Sequence, residues 1–180
     1  MVSKARVHIV ESQMTNGISG RTCGGCTACC KTHYIEKFDK PAGVWCSSCA
    51  IGVGCRIYGA HPDECAGFKC LWLLGEFPES HRPDKLKIVA DFQHEKVYGR
   101  VITVVRLWEA SEGALDKSES QKLVKASLES KYVVLQRRLV PNGGYRDQMN
   151  APANFMSARE LAELIRLLGS DEDEVVTETP

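Results

Sequence analysis

Residues 23–30 read Cys23-Gly24-Gly25-Cys26-Thr27-Ala28-Cys29-Cys30, which puts four thiols into eight positions. A Cys-x-x-Cys turn folds two sulfurs towards one ion, and Gly24 and Gly25 supply the backbone freedom that such a turn needs. The remaining thiols are Cys46, Cys49, Cys55, Cys65 and Cys70, so all nine cysteines of the 180-residue chain lie between Cys23 and Cys70. A chain of this length holds one domain or two small ones. The clustering marks one third of it as chemically distinct from the rest.

Outward from that block the composition is plain. Lysine and arginine number 23 against 23 aspartates and glutamates, so no basic field advertises nucleic acid. No apolar run approaches the roughly 18 residues of a membrane span. The short run Val7–Val10 is interrupted by His8 and stopped by Glu11, which is not a signal-peptide core. A cytoplasmic chain without membrane contact is the expectation, and in a reducing cytosol a dense thiol block holds metal more often than disulfides. Nine is also an odd number.

Four segments follow. Residues 1–20 form an N-terminal arm, 21–83 the Cys-rich lobe, 84–170 an ordinary α+β module, and 171–180 an acidic disordered tail. The fold class is therefore α+β: a small irregular Cys-rich metal-binding lobe plus a mixed or antiparallel sheet with two helices. Within the lobe, Phe68–Leu74 reads as a short helix stopped by Gly75. Pro78 and Pro83 mark the connection that follows. Strands are expected near 86–92, 100–108 and 132–136. The second of these is apolar on both alternating sets, so it should be central. Ser118 and Gln121 suggest a capping box before the stripe Leu123, Val124, Ser127 and Leu128. Pro141-Asn142-Gly143-Gly144 signals a hairpin. Ser157 and Glu160 form a second capping box, Leu161, Leu164, Ile165 and Leu168 one helical face, and Gly169 the stop.

Two partitions of the thiols compete. Cys23 and Cys26 with Cys46 and Cys49 match a zinc-ribbon interval, leaving Cys29, Cys30, Cys55, Cys65 and Cys70 for a second site. Alternatively Cys23, Cys26 and Cys29 form a ferredoxin-like run that takes a fourth thiol from further along and holds a [4Fe–4S] cluster. Neighbouring residues on a helical turn point about 100° apart, which suits Cys29 and Cys30 to two adjacent centres better than to one ion. Spacing does not separate zinc from iron, since thiolates accept both. A thioredoxin-type catalyst needs one Cys-x-x-Cys after a βαβ signal, and none precedes this block.

The run Cys23-Gly24-Gly25-Cys26-Thr27-Ala28-Cys29-Cys30-Lys31, then Cys46, Gly54-Cys55-Arg56-Ile57-Tyr58 and Pro62-Asp63-Glu64-Cys65-Ala66-Gly67-Phe68-Lys69-Cys70, resembles the YkgJ-like cysteine-cluster proteins, a family of zinc- or iron-chelating domains. The resemblance covers residues 21–75. The family has Arg-Pro where this chain has His61-Pro62, and Cys49 stands where many members lack cysteine, which makes Cys49 the spare thiol. The resemblance implies metal binding with no settled reaction attached.

Together these readings nominate Cys23, Cys26, Cys29, Cys30, Cys46, Cys55, Cys65 and Cys70 as ligands of two centres, with zinc or iron, a [4Fe–4S] cluster included, as the cofactor. His33 and His61 are expected beside the ligands rather than among them. Trp45, Tyr58, Phe68 and Trp72 are expected to pack around the metal core. The chain lacks a Walker loop, Gly-x-Gly-x-x-Gly, His-Glu-x-x-His and Gly-x-Ser-x-Gly, so nucleotide binding and the common hydrolase chemistries have no support. What remains is a structural or metal-sequestering protein, able to carry a protein partner, or an iron–sulfur redox protein or metalloenzyme component.

Overall fold

The computed structural model describes residues 20–169. The expected N-terminal arm, apart from Gly20, and the acidic tail lie outside the described residues.

The Cys-rich lobe is built from very short elements. They are helix α1 (Cys29–Thr32), the strands β1 (Cys49–Ala50) and β2 (Gly54–Cys55), helix α2 (Asp63–Gly67) and helix α3 (Pro83–Leu86). β1 and β2 pair antiparallel through only Cys49↔Cys55 and Ala50↔Gly54. Two glycines make the first turn possible. Gly24 sits at φ +51°, and a Cβ on Gly25 would lie 2.8 Å from the Gly52 carbonyl oxygen. The Cys23–Cys26 turn is thus pressed onto the β1–β2 turn at a distance that excludes any side chain.

The helix expected over Phe68–Leu74 is not formed. The Leu71 N–H donates to the Ala90 carbonyl (2.8 Å), and residues 68–70 are not helical; turns close only from Cys70 onward, through Leu74 N–H to Cys70, Gly75 N–H to Trp72 and Glu76 N–H to Leu71, with Gly75 at φ +89°. A long-range backbone bond has displaced the local helix.

The remainder is a mixed four-stranded sheet of β3 (Ile88–Val97), β4 (Arg100–Glu109), β5 (Val133–Leu139) and β6 (Tyr145–Asn150), in the order β3-β4-β5-β6. Helix α4 (Ser118–Glu129) makes the crossover between the parallel neighbours β4 and β5, and helix α5 (Ala158–Leu168) follows β6. The expected first strand starts later, because Pro83 opens the α3 turn and Lys87 closes it at φ +64°. It also runs further, to a two-residue hairpin at Tyr98-Gly99, both at positive φ, as such a tight turn demands. β4 is central, as its two apolar faces require.

Each sheet face buries its own set. Ile88, Ala90, Val105, Leu107 and Val134 pack with Leu123, Val124 and Leu128 of α4. On the opposite face Val97, Ile102, Val104, Val133, Leu135 and Met149 pack with Leu164, Ile165 and Leu168 of α5. That second face is shared: towards its other end Val89 and Trp108 pack against Ala28, Cys26, Phe68 and Cys70 of the lobe. The lobe is therefore seated on the sheet beside α5.

The capping box at Ser157 and Glu160 and the αL stop at Gly169 are both present. The box expected at Ser118 is absent; Lys117 occupies the cap position without a side-chain bond. Gln121 and Ser120 instead donate to the carbonyls of Leu115 (2.6 Å) and Ala114 (2.7 Å), which the preceding turn delivers onto the first turn of the helix. Among the described residues no helix is long and apolar enough to cross a membrane.

Candidate metal centre

A cavity of about 280 Å³ opens in the lobe, and Val89 of β3 contributes to its wall. Cys23, Cys26, Cys29, Cys30, Cys46, Cys55, Cys65 and Cys70 all line it, together with His33, His61, Phe68 and Trp72. Cys49 does not line it. The eight residues nominated from spacing and resemblance are thus brought to one cavity from five separate stretches of chain, and the nominated spare is left outside. All nine cysteines are free thiols.

Within the cavity two sets of thiols pack separately, although Cys23 also lies within electrostatic reach of Cys30. Cys26 and Cys70 pack with Ala28, Val89 and Trp108, and Cys70 lies within electrostatic reach of Cys23 and Cys26. Cys30 and Cys65 pack with Ile35, Cys46 and Cys49, and Cys65 lies within reach of Cys30, Cys46 and Cys55. Cys46 packs with Cys30, Cys49 and Cys65. Cys29 and Cys30, which open the short α1 turn, both line the cavity.

Burial raises the thiol pKa of Cys23, Cys65 and Cys70. Cys30 is pushed up further, first by its bond to Cys29 and then by burial. Burial, with Cys30 alongside, takes Cys49 to about 11. Such thiols keep their protons at neutral pH. Positive charge is close at hand. Lys40 is buried, its ammonium donates to the carbonyls of Lys31 (3.0 Å) and His33, and it faces Cys29, Cys30, Cys46 and Cys65. Arg82 and Lys69 face Cys23.

His33 is placed beside the thiols with both ring nitrogens engaged, Nδ1 to Thr32 Oγ1 (2.7 Å) and Nε2 to Asp91 Oδ2 (3.4 Å). Its ring packs on Phe68 and Trp108, and burial lowers its pKa. Asp91 anchors the lobe to the sheet: its side chain, 6% exposed, also accepts from Arg106 Nε (2.5 Å) and Trp108 Nε1 (3.0 Å). Neither Lys40 nor Asp91 was nominated from the sequence. A lysine followed by Pro-Ala-Gly carries no sign of burial, and Asp91 lies 58 residues from His33. Asp91→Ala, which leaves Arg106 Nε and Trp108 Nε1 without their acceptor, is expected to cost about 3 kcal/mol in denaturant unfolding, and Asp91→Asn clearly less.

The donor set is soft, which suits zinc or iron and not calcium or magnesium. Among the described residues no three Cys, His, Asp or Glu side chains converge on a single ion position. The thiols are spread around the cavity wall. Compared with protein-family models, with curated proteins and with solved structures, the chain matches none.

Proposed function

We propose that the chain is a cytoplasmic metal-binding protein that holds zinc or iron in two thiolate centres sharing this cavity, with a structural or metal-sequestering role. The observation that carries the reading is the arrival of eight thiols from distant stretches at one cavity. Without an ion, gathering so many ionisable sulfurs in one cavity gains little, whereas a divalent ion deprotonates them and neutralises the charge. The motif resemblance points the same way.

An iron–sulfur form of these centres is favoured by one further observation. The cavity, at about 280 Å³, is far larger than one ion, and its thiols are dispersed instead of convergent. A cluster carries its own sulfides between the irons and so takes thiolates that stand apart. The chain would then serve as a redox protein or a metalloenzyme component.

Metal and acid-labile sulfide analysis of anaerobically purified protein separates the forms. Brown protein with sulfide matching iron is the expected result for clusters, and colourless protein with zinc and no sulfide for closed zinc sites. Folded protein with neither metal and nine reactive thiols would remove both.

A further inference from the structure

Cys49 is buried, at 7% exposed, while Cys55 is only partly covered and lines the cavity. The two stand directly opposite each other on β1 and β2. The next pair along is a hydrogen-bonded one, since the Arg56 N–H donates to the Ser48 carbonyl at 2.9 Å, and pair types alternate along an antiparallel ladder. Cys49 and Cys55 are therefore a non-hydrogen-bonded pair. In such pairs facing residues come closest, with Cα atoms about 4.5 Å apart and both Cα–Cβ bonds towards one face. A disulfide spans Cα separations of about 4.4–6.8 Å, so the register already meets its requirement. That register is pinned: the Val53 N–H closes the turn onto the Ala50 carbonyl at 2.9 Å, and the Cys23–Cys26 turn presses on Gly52 from outside. Among the described residues no other two cysteines face each other across a strand pair.

We propose that Cys49 and Cys55 are an oxidation site, at which a peroxide converts the facing thiols into a cross-strand disulfide and so takes Cys55 out of the metal-ligand set. Cys55, at the cavity wall, is the thiol that a small oxidant reaches first. Its sulfur attacks one oxygen of hydrogen peroxide, the O–O bond breaks, the departing oxygen leaves with the thiol proton as water, and Cys55 becomes a sulfenic acid. The Cys49 sulfur then displaces the sulfenic hydroxyl, which leaves with the Cys49 proton as a second water. Two thiols have thus given two electrons and two protons to one peroxide. Where a metal holds Cys55 as thiolate, hydroxide leaves in place of the first water and the metal loses that ligand. The bond closes only the short β1–β2 turn, so it adds little chain-entropy stabilisation, which suits a reversible modification. The disulfide rests on the strand register; the loss of a ligand rests on the reading of the cavity as a metal site. Cys49 thereby has a use that neither a ninth ligand nor an inert core thiol would have.

The test takes the full chain, purified anaerobically and assayed for metal, and adds equimolar hydrogen peroxide. Free thiols are then blocked with N-ethylmaleimide, disulfides are reduced, and the thiols released are labelled with the deuterated reagent. Cys46, Cys49 and Cys55 share the tryptic peptide Phe38–Arg56, whose fragment masses read each of them separately. The expected result is the deuterated label on Cys49 and Cys55 and the ordinary label on Cys46, with loss of the metal held among Cys30, Cys46, Cys55 and Cys65. Cys49→Ser should hold as much metal as wild type before peroxide, and should leave Cys55 as a sulfenic acid that dimedone captures. The rival bond joins Cys46 to Cys49, the ends of a turn closed by the Cys49 N–H on the Cys46 carbonyl (3.0 Å). Deuterated label on that pair, or none on Cys49, would overturn the proposal, and so would full metal retention after the Cys49–Cys55 bond has formed. Mapping needs wild type alone, so a variant that fails to fold leaves the test standing. A chain that holds no metal yet shows the labelled pair upholds the oxidation site and defeats the metal reading; a metal-loaded chain without the pair defeats the oxidation site and leaves that reading.

Discussion

Anaerobic chelation of the metal is expected to open the Cys-rich lobe while the four-stranded sheet keeps its structure. The longest regular element of the lobe is the five-residue helix α2, and its sheet is two residue pairs. Elements this short do not sustain themselves in water. The main sheet, by contrast, has strands of up to 10 residues and a packed apolar set on each face. Structural zinc contributes about 10–16 kcal/mol of apparent folding energy, comparable to the whole net stability of a typical domain. Removing that contribution should cost the lobe its native closure. Hydrogen exchange reads the result amide by amide. The bonds Cys46 N–H to Cys30 O, Arg56 N–H to Ser48 O and Gly43 N–H to Lys31 O should lose protection on stripping and regain it on reloading. Amides of β4 and β5 should hardly change. Equal protection of the lobe with and without metal would show that its apolar contacts suffice.

A second large effect is expected from single thiol removal. Cys70→Ala should empty the group around Cys23 and Cys26, and Cys65→Ala the group around Cys30, Cys46 and Cys55, so each variant should retain about half the metal and the double variant almost none. The losses follow from packing: Cys70 is held with Val89 and Trp108 against the sheet, and Cys65 with Ile35 and Cys46 inside the lobe. Removing one of four thiolates is a direct loss of a ligand, so retention should fall by more than the roughly 10- to 100-fold expected for a supporting group. Metal per chain, measured after gel filtration, decides the matter. If either variant alone releases all of the metal, the thiols act as one centre.

The parts of the fold written in local chemistry were legible, and the parts set by distant partners were not. The box at Ser157 and Glu160 with the Gly169 stop specifies α5 within a dozen residues, and the apolar faces of β4 specify a central strand. Ser118 carried the same signal as Ser157, yet the turn at Ala114–Asp116 offered Ser120 and Gln121 better acceptors. Phe68–Leu74 had helical spacing, and a bond from Leu71 to β3 overrode it. The Tyr98-Gly99 hairpin carried no Asn-Gly or Asp-Gly signal, because Tyr98 is an unusual residue at φ +44°.

The site divides in the same way. Cysteine spacing and motif resemblance nominated the eight residues that line the cavity, since metal-ligand chemistry is written in short repeats. The supporting groups were hidden. Lys40 and Asp91 are ordinary in sequence and acquire meaning only when folding brings Cys46 and His33 against them.

X-ray absorption at the edge of the metal retained by the anaerobically purified full chain tests the thiolate assignment most directly. The expected spectrum is a first shell of sulfur alone at about 2.3 Å, four per metal, with a metal–metal shell added if the centres are iron–sulfur clusters. A first shell dominated by nitrogen or oxygen would contradict it, and so would a spectrum unchanged when Cys65 and Cys70 are both replaced by alanine.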